Sequence, residues 1–206
     1  MSPKYSLLYF DIRGRGEAIR MLFKYAGVEF EEKTISFAEF DAIKGNVKET
    51  PTGQIPVLTT QCGKKIVQTA AILRYVATEL NLMGECNGQR ALIDGIVVTH
   101  KEIHDAAIDI AFFTKEEEKP AKLKALEEKL HKSFKFYEVV AKEYGKCDNF
   151  VGKSITIADI YFVDVMDLVN QVLPNASVLC KYPVLKNIHA KTKESPNLKK
   201  YLAERK

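Results

Sequence analysis

The chain has 206 residues, 46% of them apolar, enough to bury a sizeable core; the length falls between one large domain and two small ones, and two are expected. Its formal charge of +4 is spread out, with Lys and Glu interleaved as in "KALEEKLHK", so no basic stripe tracks a phosphate backbone and no nucleic-acid partner is expected. No run of about 18 apolar residues occurs, and "MSPKYSLLYF" lacks the basic segment, apolar core and cleavage site of a secretory leader, so a cytoplasmic protein with no membrane partner is expected.

In chain order, "KYSLLYF" reads as a strand, "GRGEAIRMLFKYAG" as a helix and "VEFEEKTIS" as a strand. "IPVLTT" and "KKIVQ" follow as a hairpin that runs into the helical "TAAILRYVA". By pattern alone this is a β-α-β order followed by β-β-α. Near residue 84 the character changes: "NLMGECNG" reads as a linker, and only helical periodicity follows. Apolar residues recur at Leu92, Ile96, Ile103, Ala107 and Ile110 in one long helix, and at Leu123, Leu126, Leu130, Phe134 and Tyr137 in the next. "TKEEEKP" between them is a solvated charged turn.

In "VGKSITIADI", Thr156 followed three residues later by Asp159 forms a capping-box pair, flanked by a staple of Ile155 and Ile160. Both Thr156 and Asp159 are therefore read as structural. Further helices are expected from near Pro183 and after Pro196. Cys62, Cys86, Cys147 and Cys180 have neither disulfide-framework nor metal-site spacing and are read as free thiols. In "TGQIPVL", Pro56 opens a strand where a cis bond would leave the backbone of Ile55 outside the sheet, available to a peptide-like ligand. Gln68 and Thr69 place two hydrogen-bonding side chains where a strand ends and a helix begins. Thr69 there reads equally as a helix cap or as part of an anion site.

The order "LLYFDIRGRGEAIR", "GQIPVL", "VQTAAILRYVA" and "VGKSITIADI" resembles the cytosolic glutathione transferases over essentially the whole chain. The resemblance is to the tyrosine-type classes: "GVEFEEK", "VQTAAIL" and "RALIDG" look alpha-like, while the short C-terminus resembles sigma-class and related invertebrate enzymes. It implies an α/β plus all-α fold. A thioredoxin-like N-terminal domain (βαβαββα, residues 1–82) would bind glutathione, and an all-helical domain (83–206) would line the electrophile site, usually in a homodimer.

The resemblance also implies roles. Tyr9 would be the catalytic tyrosine that stabilises the glutathione thiolate, with Arg15 as a nearby cation; read without it, Tyr9 is a core aromatic and Arg15 a surface charge. Lowering a thiol pKa by about two units takes roughly 2.7 kcal/mol, within reach of a charge-assisted hydrogen bond plus a cation. Gln54, Ile55 and Pro56 would hold the cysteinyl backbone of glutathione, Lys44 its glycyl carboxylate, and Gln68 and Thr69 its γ-glutamyl carboxylate at the positive helix N-terminus. Glu102 stands where the partner subunit commonly offers an Asp to the γ-glutamyl amine. Ile12, Gly14, His104, Ile110 and Phe113 are the electrophile-site candidates, each also readable as plain core or surface.

Departures are visible too. The chain has no Trp, and Phe40 stands where sigma-like enzymes bond the glycyl carboxylate with an indole. Thr52 replaces the aromatic that alpha-type subunits insert into their partner, and Lys132 falls near an alpha-class Arg. Val98, Lys101 and Glu102 occupy the place of a divalent-cation cluster, so no metal is expected. Three readings follow: a transferase conjugating glutathione to small hydrophobic electrophiles in detoxification; a glutathione-dependent isomerase or peroxidase of prostaglandin D synthase type; or a non-catalytic carrier of apolar ligands such as haem.

Overall fold

The computed structural model describes residues 4–174 and 177–205. The first three residues and the last, which open and close the two expected domains, lie outside that range, as do residues 175 and 176. The N-terminal part is a four-stranded sheet in the order β2-β1-β3-β4, built from β1 (Tyr5–Phe10), β2 (Glu31–Ile35), β3 (Val57–Thr60) and β4 (Lys65–Val67). β1 pairs parallel with β2 and antiparallel with β3, and β3 pairs antiparallel with β4. In β1 the alternation is plain: Tyr5, Leu7 and Tyr9 are buried on one face while Ser6, Leu8 and Phe10 are partly open on the other. Leu7 packs in one core with Ile19, Leu22 and Phe23 of α1 (Glu17–Tyr25) and with Ile72, Leu73 and Val76 of α3 (Thr69–Glu79).

One element escapes the pattern reading. α2 (Phe37–Ile43) is only seven residues long and buries none of them, although Phe37, Phe40 and Ile43 stand at helical spacing and its start is written in the sequence. Ser36 Oγ accepts from the Glu39 N–H at 3.2 Å and Glu39 Oε2 accepts from the Ser36 N–H at 2.7 Å, a complete capping box. With α2 in place the order is the βαβαββα of a thioredoxin-like domain. Other differences are at the edges: α1 is preceded by a 3-10 turn at Gly14–Gly16, β2 starts three residues later than the expected 28, and a 3-10 turn at Val178–Lys181 was not foreseen.

The rest is helical: α4 (Asn87–Phe112), α5 (Lys119–Tyr144), α6 (Ile157–Val172), α7 (Pro183–Lys193) and α8 (Pro196–Glu204). α6 is buried nearly all round, which makes it the centre of this layer. Its start is held as expected: Asp159 Oδ2 accepts from the Thr156 N–H at 2.7 Å and hydroxyl at 2.8 Å, and Oδ1 accepts from the Phe150 N–H at 2.8 Å. The Ile157 N–H donates to the Leu82 carbonyl at 3.0 Å, tying α6 to the end of the mixed domain. Buried Glu17 of α1 receives Arg205 at 2.8 Å and the Tyr201 hydroxyl at 3.0 Å, which returns α8 to the N-terminal domain. All four cysteines are free.

Two buried histidines make the fold acid-sensitive, and one buried carboxyl works against them. His100 is enclosed by Tyr137, Phe150 and Phe162, and burial pushes its pKa down to about 3. Its Nε2 faces the Ala158 carbonyl at 3.1 Å, which can only accept, and Nδ1 therefore takes the Tyr137 hydroxyl at 2.9 Å. Burial, then Lys193, lowers His189 to about 4, while burial raises Asp159 to about 6 against its hydrogen bonds. Histidines with depressed folded values bind protons only when unfolded, so their contribution is present above 6.5 and lost as pH falls; Asp159 opposes them below its raised value. A net loss of roughly 2 kcal/mol between about pH 7 and about pH 5 is expected, read as a falling urea midpoint at constant slope.

Candidate active site

Tyr9 is the last residue but one of β1, and two glycines of the 3-10 turn make room for its ring. A Cβ at Gly14, which has φ +42, would lie 2.7 Å from Tyr9 Oη, and one at Gly16 would lie 2.5 Å from ring Cδ1. The same turn delivers the Arg15 N–H to Tyr9 Oη at 2.8 Å. With that oxygen already accepting, the phenolic hydrogen is left to donate to a further group. Burial, the largest influence, holds the Tyr9 pKa above the ordinary phenol value; the Arg15 N–H and the Arg15 and Arg20 charges pull the other way, and Asp164 adds to the rise. The phenol is therefore a neutral donor near pH 7, not a phenolate.

Arg15 acts on Tyr9 through its backbone. Its guanidinium turns to α4, where Nε meets Asp105 Oδ1 at 3.0 Å, and Lys101 takes the other carboxylate oxygen. Burial would raise the Asp105 pKa, but Lys101 and Arg15 outweigh it and hold the carboxyl below its usual range. Thr69 is the first residue of α3 and not its cap, and its hydroxyl donates to the Arg15 carbonyl at 3.2 Å. In this structure that hydrogen locks the turn to the helix, while Thr69 itself lines the cleft. Gln68 takes the cap position at φ 71, an unusual conformation for a non-glycine residue that costs on the order of 1–3 kcal/mol. No side chain caps α3, so its first-turn N–H groups are open to an anion. The Gln68 amide donates to Gln54 Oε1 at 3.0 Å.

The Ile55–Pro56 bond is cis, and Ile55 stands outside the ladder that begins at Val57. Tyr9, Arg15, Gln54, Ile55, Pro56, Gln68 and Thr69 thus line one cleft of about 440 Å³, together with Phe10, Phe40, Gly53, Lys101 and Asp105. Lys44 and Glu102 do not line it. Lys44 Nζ pairs with Asp41 at 2.8 Å, and Glu102, 58% exposed, pairs with Lys129 at 2.9 Å. A second cavity of about 400 Å³ adjoins, lined by Ile12, Gly14 and His104 of the five electrophile candidates. Ile110 is instead buried against α5 beside Leu126, and Phe113 is 72% exposed beyond the end of α4; Phe112 takes the place expected of Phe113. Arg13 and, from α6, Asp164, Asp167, Leu168 and Gln171 complete the second cavity, and the sequence does not single them out as site residues.

Residues 5–78 match the family model described as glutathione S-transferase, N-terminal domain, and residues 101–205 the one described as glutathione S-transferase, C-terminal domain. The chain is 36% identical over 204 residues to glutathione S-transferase A2 of Homo sapiens, covering 98% of this chain and 89% of that protein. The chain belongs to the glutathione transferase family.

Solved structures agree with this glutathione transferase assignment. Monomeric Na-GST-3 of Necator americanus superposes with a TM-score of 0.87 at 32% identity, covering 98% of this chain and 97% of that one. Prostaglandin synthase D of Nilaparvata lugens does so at 0.83 and 26%, covering 99% of each. The protein is thus a glutathione transferase with a thioredoxin-like domain and an all-helical domain, and glutathione is its co-substrate. The cleft fits a short peptide: an uncapped helix N-terminus, an unladdered backbone at Ile55 and a phenol with an unspent hydrogen. Among the described residues no group of three or more His, Cys, Asp or Glu side chains is arranged to hold a metal ion, and no helix is long and apolar enough to cross a membrane.

Proposed function

We propose that this transferase lays glutathione along the first cleft, lined mainly by residues 1–82 with Lys101 and Asp105 beside them, and that Tyr9 hydrogen-bonds its sulfur as the thiolate attacks a small hydrophobic electrophile held in the second cavity, which residues 12–14 and helices of the 83–206 domain line together. The Arg15 N–H to Tyr9 Oη bond of 2.8 Å carries this reading, because it orients the phenol while leaving its hydrogen for the sulfur. The γ-glutamyl carboxylate sits at the first turn of α3 beside Gln68, with Gln54, Ile55 and Pro56 along the cysteinyl backbone. Lys44 reaches the glycyl carboxylate after leaving Asp41. A cytoplasmic role in detoxification fits such broad thiol chemistry.

The direct test is conjugation of glutathione to chlorodinitrobenzene, followed as adduct with stoichiometric chloride. Adduct at rates above the uncatalysed reaction is expected, and its absence rejects the proposal. Gln68→Ala is expected to raise KM for glutathione by about tenfold with a smaller change in kcat, the pattern of lost uniform binding. A change confined to kcat would contradict the placement. We also propose a homodimer in which Glu102 of one subunit approaches the γ-glutamyl amine bound by the other. Sedimentation equilibrium tests this, and a monomer at micromolar concentration contradicts it. Glutathione-dependent isomerisation is the second reading, favoured by the likeness to the Nilaparvata lugens prostaglandin synthase. It uses the same thiolate, and assays with prostaglandin H-type endoperoxides separate the two. A carrier of apolar ligands has no use for an oriented phenol.

A further inference from the structure

The second cavity carries chemistry that thiolate activation does not use. Apolar Ile12, Phe112 and Leu168 line it together with polar Arg13, Asp167 and Gln171, and its lining also includes His104 and Asp164, both almost completely buried, with His104 Nε2 3.4 Å from Asp164 Oδ2. Asp164 Oδ2 is enclosed and accepts no hydrogen bond among the described residues, and the enclosed Tyr161 hydroxyl, whose ring lies 5.7 Å from His104, has no partner either. Buried polar atoms are normally satisfied, and of these residues His104 and Asp164 are the two that line the cavity. The place is close to the reacting sulfur: Gly14 lines this cavity, and a Cβ on it would lie 2.7 Å from Tyr9 Oη. Contacts of this kind are commonly long in an empty site and tighten once it is filled.

We propose that His104, held by Asp164, is the general acid for electrophiles that build negative charge on oxygen, specifically alkenes conjugated to a carbonyl. The inference rests on the glutathione reading above. The sulfur bonds to the β-carbon, and the alkene π pair moves through the α-carbon to place an enolate on the carbonyl oxygen. The His104 N–H bond breaks and its proton passes to that oxygen; the resulting enol tautomerises to the saturated carbonyl. Solvent returns to His104 a proton equivalent to the one the thiol lost on ionising, so the net reaction adds S–H across the double bond with no oxidant or reductant. Apolar substituents of the alkene rest on Ile12, Phe112 and Leu168. Substitution on an activated aryl chloride differs, because chloride leaves and no oxygen takes up a proton.

The test compares benzylideneacetone, an aryl enone, with chlorodinitrobenzene, using the full-length enzyme with glutathione. In His104→Gln the ratio of kcat/KM for the enone to that for the aryl chloride is expected to fall by about tenfold or more. Asp164→Asn, nearly isosteric, is expected to shift the ratio in the same direction. Equal losses on both electrophiles, or an unchanged ratio in both variants, would overturn the proposal and leave the pair a structural contact. A wild-type enzyme that conjugates neither electrophile removes the transferase reading itself, a result distinct from an unchanged ratio.

Discussion

Tyr9→Phe is expected to lower kcat/KM for chlorodinitrobenzene by on the order of 10- to 100-fold near neutral pH, with KM for glutathione little changed. The substitution removes one oxygen from a ring that Gly14 and Gly16 already grip, so the cleft keeps its shape. What is lost is the donor to sulfur, together with the acceptor of the Arg15 N–H. A free thiol of pKa about 8.5 is only a few per cent ionised at pH 7, whereas one lowered by about two units is mostly thiolate. The weaker intrinsic nucleophilicity of a more acidic thiolate returns part of that gain, and the lost orientation of the sulfur adds to the deficit. The deficit should therefore shrink as pH rises past the free-thiol value. A pH-independent loss would point to misplacement alone, and no loss at all would make Tyr9 a bystander.

Asp159→Ala is expected to destabilise the fold by on the order of 3–5 kcal/mol, enough to unfold much of a marginal protein. The carboxylate is fully buried and is the acceptor for the Phe150 N–H, the Thr156 N–H and the Thr156 hydroxyl. Removing it strands these donors in the core and opens a void at the start of the central helix. Thr156→Ala should cost about 1 kcal/mol, a normal cap loss. Denaturant unfolding with a constant slope provides the comparison, and equal effects of the two substitutions would contradict the account.

The residues that were legible in the chain are those whose role is local. The Thr156–Asp159 pair, the Ile55–Pro56 bond and the proline-led starts of α7 and α8 are set by neighbours a few positions away. The Ser36–Glu39 box is equally local and marks α2; at seven residues the repeat of Phe37, Phe40 and Ile43 is shorter than the window in which helical period stands out. The placement of Ile110 away from the second cavity has a geometric cause. The stripe Ile103, Ala107 and Ile110 marks the side of α4 that packs into the core, whereas the two cavities are lined from a rotated side by Lys101, His104 and Asp105. A hydrophobic stripe finds packing and so selected Ile110. Asp164 and Asp167 were invisible for the same reason, since α6 is buried almost all round and its polar residues give no face. Nor could spacing show that the Thr69 hydrogen goes to the Arg15 carbonyl, or that the Arg15 guanidinium goes to Asp105; both partners are distant in sequence.

The most direct test is ultraviolet difference titration of the glutathione thiol bound to the wild-type enzyme and to Tyr9→Phe. The account predicts a bound thiol about two pKa units below the free value of roughly 8.5, returning most of the way in the variant. A bound thiol with the pKa of free glutathione, or a depressed value that Tyr9→Phe leaves in place, would contradict it.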